Sequence, residues 1–192
     1  MAIKVGITGG IGSGKTTVAK FLIKLGFPVY FADKEAKAIM NTDPDLMHRI
    51  KELLGGEAYV DGSLNKQFVA SKVFADKAKL AQLNGIVHPA VANHFKLWCE
   101  QNETAEFVFQ EAAILFENGN YRNFDKMILV TAPKEIRLAR VMKRDKQQAK
   151  EVMARMNNQW SDEKKKALAH YVIRCDGKHL LMPQVLKVLK EL

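Results

Sequence analysis

The 192-residue chain predicts an α/β fold, a three-layer α/β/α arrangement on a five-stranded parallel sheet. Three observations carry this expectation. Five short apolar segments, Ile3–Thr8, Pro28–Phe31, Glu106–Gln110, Lys126–Val130 and Tyr171–Arg174, read as strands. Helical stretches separate them, and such alternation places parallel strands between helices on both faces. The first strand also runs directly into a glycine-rich loop that opens a helix.

That loop is Gly9-Gly10-Ile11-Gly12-Ser13-Gly14-Lys15-Thr16, which satisfies the pattern G-x-x-x-x-G-K-[ST]. The helix after it is marked by Val18, Phe21, Leu22 and Leu25 at i, i+3, i+4 and i+7. Strand, loop and helix in this order give the pattern a physical meaning. Glycines allow a concave backbone whose N–H groups point inward at phosphate oxygens, and a helix start adds unpaired N–H groups and a positive dipole end. Lys15 can reach the β- and γ-phosphates of ATP, and the Thr16 hydroxyl is offered to Mg²⁺. The alternative, a glycine turn that merely packs a helix on a strand, supplies no reason for Lys15. A dinucleotide fingerprint fails, because Lys15 stands where its third glycine belongs.

Further helices are expected at Lys34–Asn41, Pro44–Leu54, Pro89–Gln101, Pro133–Arg144, Gln147–Asn157, Ser161–Leu168 and Pro183–Lys190. Gly26 caps the first helix, and Pro89 and Pro133 suit first helical positions. The long gap between the second and third strands is mostly helical, punctuated by Gly55-Gly56 and Asp61-Gly62-Ser63. It reads as an insert over residues 34–105, placed to bind an acceptor. A second appendage covers about 140–161. The whole chain, 1–192, is expected to be one core domain carrying these two additions.

Composition narrows the function classes. With 47% hydrophobic and 27% charged residues the chain reads as an ordinary soluble domain. No window is apolar enough for a membrane span, and no signal peptide is evident. Cys99 and Cys175 are isolated, so neither a disulfide framework nor a zinc site is expected and a cytoplasmic location fits. A net charge of +9 invites a nucleic-acid reading. The one lysine run, Lys164-Lys165-Lys166, lacks interleaved aromatics, so a lysine-rich solvated surface with a positive cleft for phosphorylated substrates is the preferred reading of the charge. No nucleic acid and no membrane are expected as partners, and the chain is read as a monomer or weak homo-oligomer.

Ligands of an open parallel sheet bind beyond the carboxyl ends of its strands. Asp33 follows the second strand there, either as the base for an attacking hydroxyl or as the N-cap of the next helix. Glu111 ends the third strand, with Gln110 where a Walker B aspartate would stand; Glu111 is a weak candidate for contact with Mg²⁺ through water. Arg137, Arg140 and Arg144 share a helix face, either as a solvated flank or as a lid that clamps phosphates, and Arg155 is a further member. His88 reads as a cap or core histidine. Asp176-Gly177 follows the fifth strand, either as a plain turn or as backbone beside an adenine ring.

Together these residues make the chain resemble the dephospho-coenzyme A kinase family over nearly its whole length. The resemblance rests on Val5 to Val18 with its Thr-Gly-Gly-Ile-Gly-Ser-Gly-Lys core, on Ala32-Asp33, His88-Pro89 and Leu115-Phe116-Glu117, on Arg140 with Arg144-Asp145, and on Arg155 with Gln159. It implies a P-loop, nucleoside-monophosphate-kinase-like fold with a coenzyme-A-binding helical domain and a lid. It implies ATP-dependent phosphorylation of the ribose 3′-hydroxyl of dephospho-CoA, with ATP and Mg²⁺ as cofactors. On this basis Gly9, Gly10, Gly12, Ser13, Gly14, Lys15, Thr16, Thr17, Arg144, Asp176 and Gly177 are assigned to the nucleotide. Asp33, Lys15 and Arg140 are assigned to catalysis, and Asp33, His88, Leu115, Glu117 and Arg155 to the acceptor. Phe31, Ala113 and the pair Arg174-Cys175 depart from the family pattern. A kinase of another nucleoside, nucleotide or metabolite has the same core with a different insert. A nucleotide-dependent switch is disfavoured, because Asn65-Lys66-Gln67-Phe68 lacks the aspartate of a guanine-recognition element.

Overall fold

The computed structural model describes residues 2–74 and 76–192. Five strands, β1 (Ile3–Thr8), β2 (Val29–Phe31), β5 (Phe107–Glu111), β6 (Lys126–Thr131) and β7 (Tyr171–Arg174), form one parallel sheet in the order β2-β5-β1-β6-β7. Register pairs Val5 with Phe109 on one side and with Lys126 on the other. The connection from β1 runs to one side of the sheet and that from its neighbour β6 to the other, so the loop after β1 lies at a switch point, the general location of ligand clefts in such sheets.

Strand alternation decides what each face packs against. Val5 and Ile7 are fully buried with Val18 and Leu22 of α1 (Lys15–Lys24), Phe107, Phe109, Ile128, Val130 and Ile173 of neighbouring strands, and Val185 and Val188 of α9 (Leu181–Glu191). Burial on both faces explains why these strands read as apolar runs. Two helices, α6 (Lys134–Asp145) and α7 (Ala149–Asn157), pack together around Val141, Val152 and Met156. The short α8 (Asp162–Lys166) follows, capped by the Ser161 hydroxyl, which accepts from the Lys164 N–H.

The chain divides into two compact units, residues 1–31 with 102–192, and residues 32–101. The second holds α2 (Ala32–Thr42), α3 (Pro44–Leu54), α4 (Lys66–Phe74), α5 (Lys77–Gln101) and a hairpin of β3 (Tyr59–Val60) with β4 (Ser63–Leu64). Its own core gathers Ile39, Leu46, Ile50, Tyr59, Val69, Leu83 and Val87. The hairpin turns through Asp61 and Gly62, both at positive φ as a two-residue turn demands. The Tyr59 hydroxyl donates to the Met40 carbonyl at 2.6 Å, and burial raises its pKa.

Three local expectations are corrected. The helix after β2 begins at Ala32, so Asp33 lies inside its first turn and is not the N-cap. Pro89 does not start a helix; it lies within the 25 residues of α5. It lacks an N–H and so removes one intrahelical bond, but burial of Leu83, Val87 and Phe95 on both sides of it carries the helix through. Pro133 is the N-cap of α6 rather than its first residue. No helix among the described residues is long and apolar enough to cross a membrane.

Candidate active site

The loop between β1 and α1 is a backbone cradle. Gly14, the residue before α1, has φ 102°, and a Cβ there would stand 2.5 Å from Cys175 Sγ. Gly12 has φ 78°, and a Cβ there would press on the Arg137 carbonyl. A side chain at either position meets both a disfavoured φ and occupied space. The Lys15 ammonium lies across the loop and donates to the Gly9 carbonyl at 3.0 Å and the Gly10 carbonyl at 3.4 Å. The Ser13 and Thr8 hydroxyl oxygens are buried without a hydrogen-bond partner, as polar atoms at a binding surface are. Thr16 and Thr17 are exposed in the first turn of α1. The Thr16 hydroxyl is a hard oxygen donor, of the kind Mg²⁺ takes beside phosphate oxygens.

The arginine stripe on α6 has divided roles. Arg137 is only 9% exposed; its Nε donates to the Ile11 carbonyl and its Nη1 pairs with Asp162 at 3.2 Å. A wholly solvated flank is therefore the wrong reading for this residue. Arg140 points at the loop, with Nη1 3.4 Å from the Gly12 carbonyl. Arg144 and Arg155 converge instead on Asp145, at 2.7 and 2.8 Å, and Arg155 also donates to Gln147. Their hydrogen bonds, Arg144 first, hold the Asp145 carboxyl well below the ordinary carboxylate range. A depressed folded-state pKa stabilises above the ordinary value and loses that contribution as pH falls. The difference in Tm between the parent and Asp145→Asn is therefore expected to shrink below about pH 4, where unfolded carboxylates protonate. Thermal melts between pH 7 and pH 2.5 measure it.

Three assigned residues do other work. Leu115 is 1% exposed and buried in the core, so its side chain offers a substrate no surface. Glu117 accepts from the Trp160 N–H and lies 2.8 Å from the ammonium of Lys165, which is fully buried. The middle of the lysine run is thus an internal ion pair, not solvated surface. Lys164 stacks its ammonium over the Trp160 ring at 3.4 Å. Glu117→Gln leaves the buried Lys165 charge uncompensated and is expected to cost about 3–5 kcal/mol, readable as a lower denaturation midpoint. Asp176 spends its carboxylate on its own turn, accepting from the N–H groups of Lys178 and His179 and bonding the His179 ring at 2.8 Å. These bonds depress its pKa, and Gly177 completes the turn at φ 81°.

Asp33 and His88 belong to the helical unit, and both are exposed. Asp33 follows β2 by two residues, and His88 is in the middle of α5, neither a cap nor a core residue. Within the sheet unit, a cavity of about 830 Å³ opens along the carboxyl ends of β6 and β7, lined among others by Thr131, Pro133, Arg137, Gln159, Trp160 and Asp176. Gln159 and Cys175 were not read from residue chemistry as neighbours of the loop. Gln159 accepts from the Ile11 N–H across 148 residues of sequence, a pairing no local pattern reports.

A parallel sheet with a lysine-bearing phosphate cradle at its switch point, followed by an arginine-bearing helix, defines a P-loop kinase. Solved shikimate kinases share this fold; that from Acinetobacter baumannii has a TM-score of 0.58 at 14% identity, covering 100% of this chain and 93% of the other. A model of the dephospho-CoA kinase family matches residues 3–180, and the chain belongs to that family. The dephospho-CoA kinase of Bacteroides fragilis is 41% identical over 189 residues, spanning 98% of this chain and 92% of its own length. That of Salinibacter ruber is 41% identical over 176 residues, 90% of this chain and 88% of its own. Among solved structures, the dephospho-CoA kinase from Campylobacter jejuni superposes with a TM-score of 0.72 at 26% identity, covering 100% of this chain and 97% of the other.

Proposed function

We propose that the chain transfers the γ-phosphoryl group of ATP to the ribose 3′-hydroxyl of dephospho-CoA, giving coenzyme A and ADP, the last step of coenzyme A synthesis. The observation that carries this reading is the built cradle of 9–16 in a chain matched to dephospho-CoA kinases over 3–180. Backbone N–H groups of the loop and the start of α1 bind the phosphates. Lys15 exchanges its loop carbonyls for phosphate oxygens and meets the charge that develops during transfer. Arg140, already beside Gly12, clamps the same anion from the lid over 140–161. Thr16 would hold Mg²⁺, whose chemistry is to neutralise charge on the phosphates.

Asp33 is the proposed base. It follows the carboxyl end of β2 by two residues. As an exposed carboxylate it can accept a hydroxyl proton as the bond to phosphorus forms. The helical unit, with His88, is the proposed seat of the acceptor, and the turn at Asp176-Gly177 borders the adenine of ATP.

The direct test is turnover of purified protein with ATP, Mg²⁺ and dephospho-CoA. Formation of coenzyme A is expected; turnover of a different alcohol with none on dephospho-CoA rejects the substrate. Arg140→Ala is expected to lower kcat by about tenfold or more, since it removes a charged donor aimed at the phosphates. An unaltered kcat in steady-state assays makes α6 a flank only.

A further inference from the structure

The residue at the tip of the phosphate loop, Ile11, is held from outside the loop on three sides. Its N–H donates to Gln159 Oε1 at 2.7 Å. Its carbonyl accepts from Arg137 Nε at 3.1 Å, and Arg137 is in turn anchored to Asp162. Its side chain packs with Leu138 and Met142 against the Val141, Val152 and Met156 cluster of the α6–α7 hairpin. The Arg137 guanidinium also fills the space where a side chain at residue 10 would stand, so any residue but glycine there would have to displace it. Gln159 lies in the strap that joins α7 to α8, and Asp162 is the first residue of α8. Glu117 fastens the strap through Trp160 and α8 through the buried Lys165.

We propose that Gln159, Arg137 and the Ile11 side chain are positioning residues that set the shape of the phosphate cradle, so that the α6–α7 hairpin and the loop act as one body in nucleotide binding. This rests on the reading of the loop as the ATP site and adds to it residues that act through Ile11. A free glycine-rich loop samples many conformers and loses that freedom on binding phosphate. Fixing the N–H and the carbonyl of its tip residue, which lie on two successive peptide planes, meets part of that cost before the nucleotide arrives. The hydrogen bond from Ile11 N–H also orients the first of these planes, and with it the neighbouring N–H groups that face the anion.

Four variants test this: Gln159→Met, which keeps length and removes the acceptor; Ile11→Ala; the conservative Ile11→Val; and the double variant Gln159→Met with Ile11→Ala. Full-length protein is titrated with MgATP by calorimetry, Tm is recorded, and KM is measured for both substrates. The Kd for MgATP is expected to rise about tenfold in Gln159→Met and in Ile11→Ala, the worth of one lost hydrogen bond or a few buried methyl groups. The KM for dephospho-CoA is expected to stay within about twofold, Ile11→Val to bind MgATP nearly as the parent does, and the double variant to lose less than the product of the single losses. Unchanged MgATP affinity in folded Gln159→Met and Ile11→Ala overturns the proposal, as does equal weakening toward both substrates, which marks general destabilisation. A parent that fails to bind MgATP rejects the nucleotide-site reading itself. If Ile11→Ala fails to fold, Gln159→Met decides the question.

Discussion

Lys15→Ala is expected to reduce turnover by about 10²–10³, the usual cost of removing one preorganised donor to a transition-state anion. Lys15 is 9% exposed, and its ammonium rests over the loop on the carbonyls of Gly9 and Gly10, which phosphate oxygens would replace. In a water-poor site its attraction to phosphate oxygens is much stronger than between solvated ions. Truncation removes that charge from the loop. ATP affinity is therefore expected to fall along with kcat. Lys15→Met, which retains most of the stem volume, separates packing from charge. If it restores turnover, the charge has no role. Rapid-quench measurement of the chemical step, with nucleotide affinity by calorimetry, reads both effects.

Asp33→Asn is expected to retain ATP binding and cut turnover by about 10²–10⁴, the range for a positioned general base. The substitution keeps shape and removes the proton-accepting oxygen. Its structural side effect is small: an acid in the first turn of α2 interacts favourably with the helix dipole, worth about 0.3–1 kcal/mol at an exposed site. Because Asp33 is not the N-cap, no capping bond is lost with it. A small fall in Tm with a large fall in kcat distinguishes the base from a helix-stabilising residue. Near-normal turnover removes Asp33 from the mechanism.

The sheet and its loop were legible because their determinants are local. Strand propensity in Ile3–Thr8, four glycines and a lysine within eight residues, and a helical stripe from Val18 to Leu25 all lie within two dozen positions. The helical unit was less so. The first half of α5 was missed because Pro89 reads as a start signal, and burial on both sides of it overrides the lost hydrogen bond. The hairpin at Tyr59–Leu64 and the helix at Lys66–Phe74 were also missed; each is short, and each is stabilised by packing on residues distant in sequence. The stripe of Arg137, Arg140 and Arg144 was correct in geometry but silent on use. One arginine is buried against the loop, one points at it and one turns to Asp145.

Backbone chemistry specifies where the proposed anion cradle lies, because glycine at positive φ, a helix start and an adjacent lysine are properties of neighbouring residues. Which side chains brace that holder is a different matter. Ile11 meets Gln159 and Arg137, and Lys165 meets Glu117, only after strands far apart in the chain have paired and the α6–α7 hairpin has closed on them. Such contacts depend on distance in space, and a periodic pattern along the chain carries no record of it.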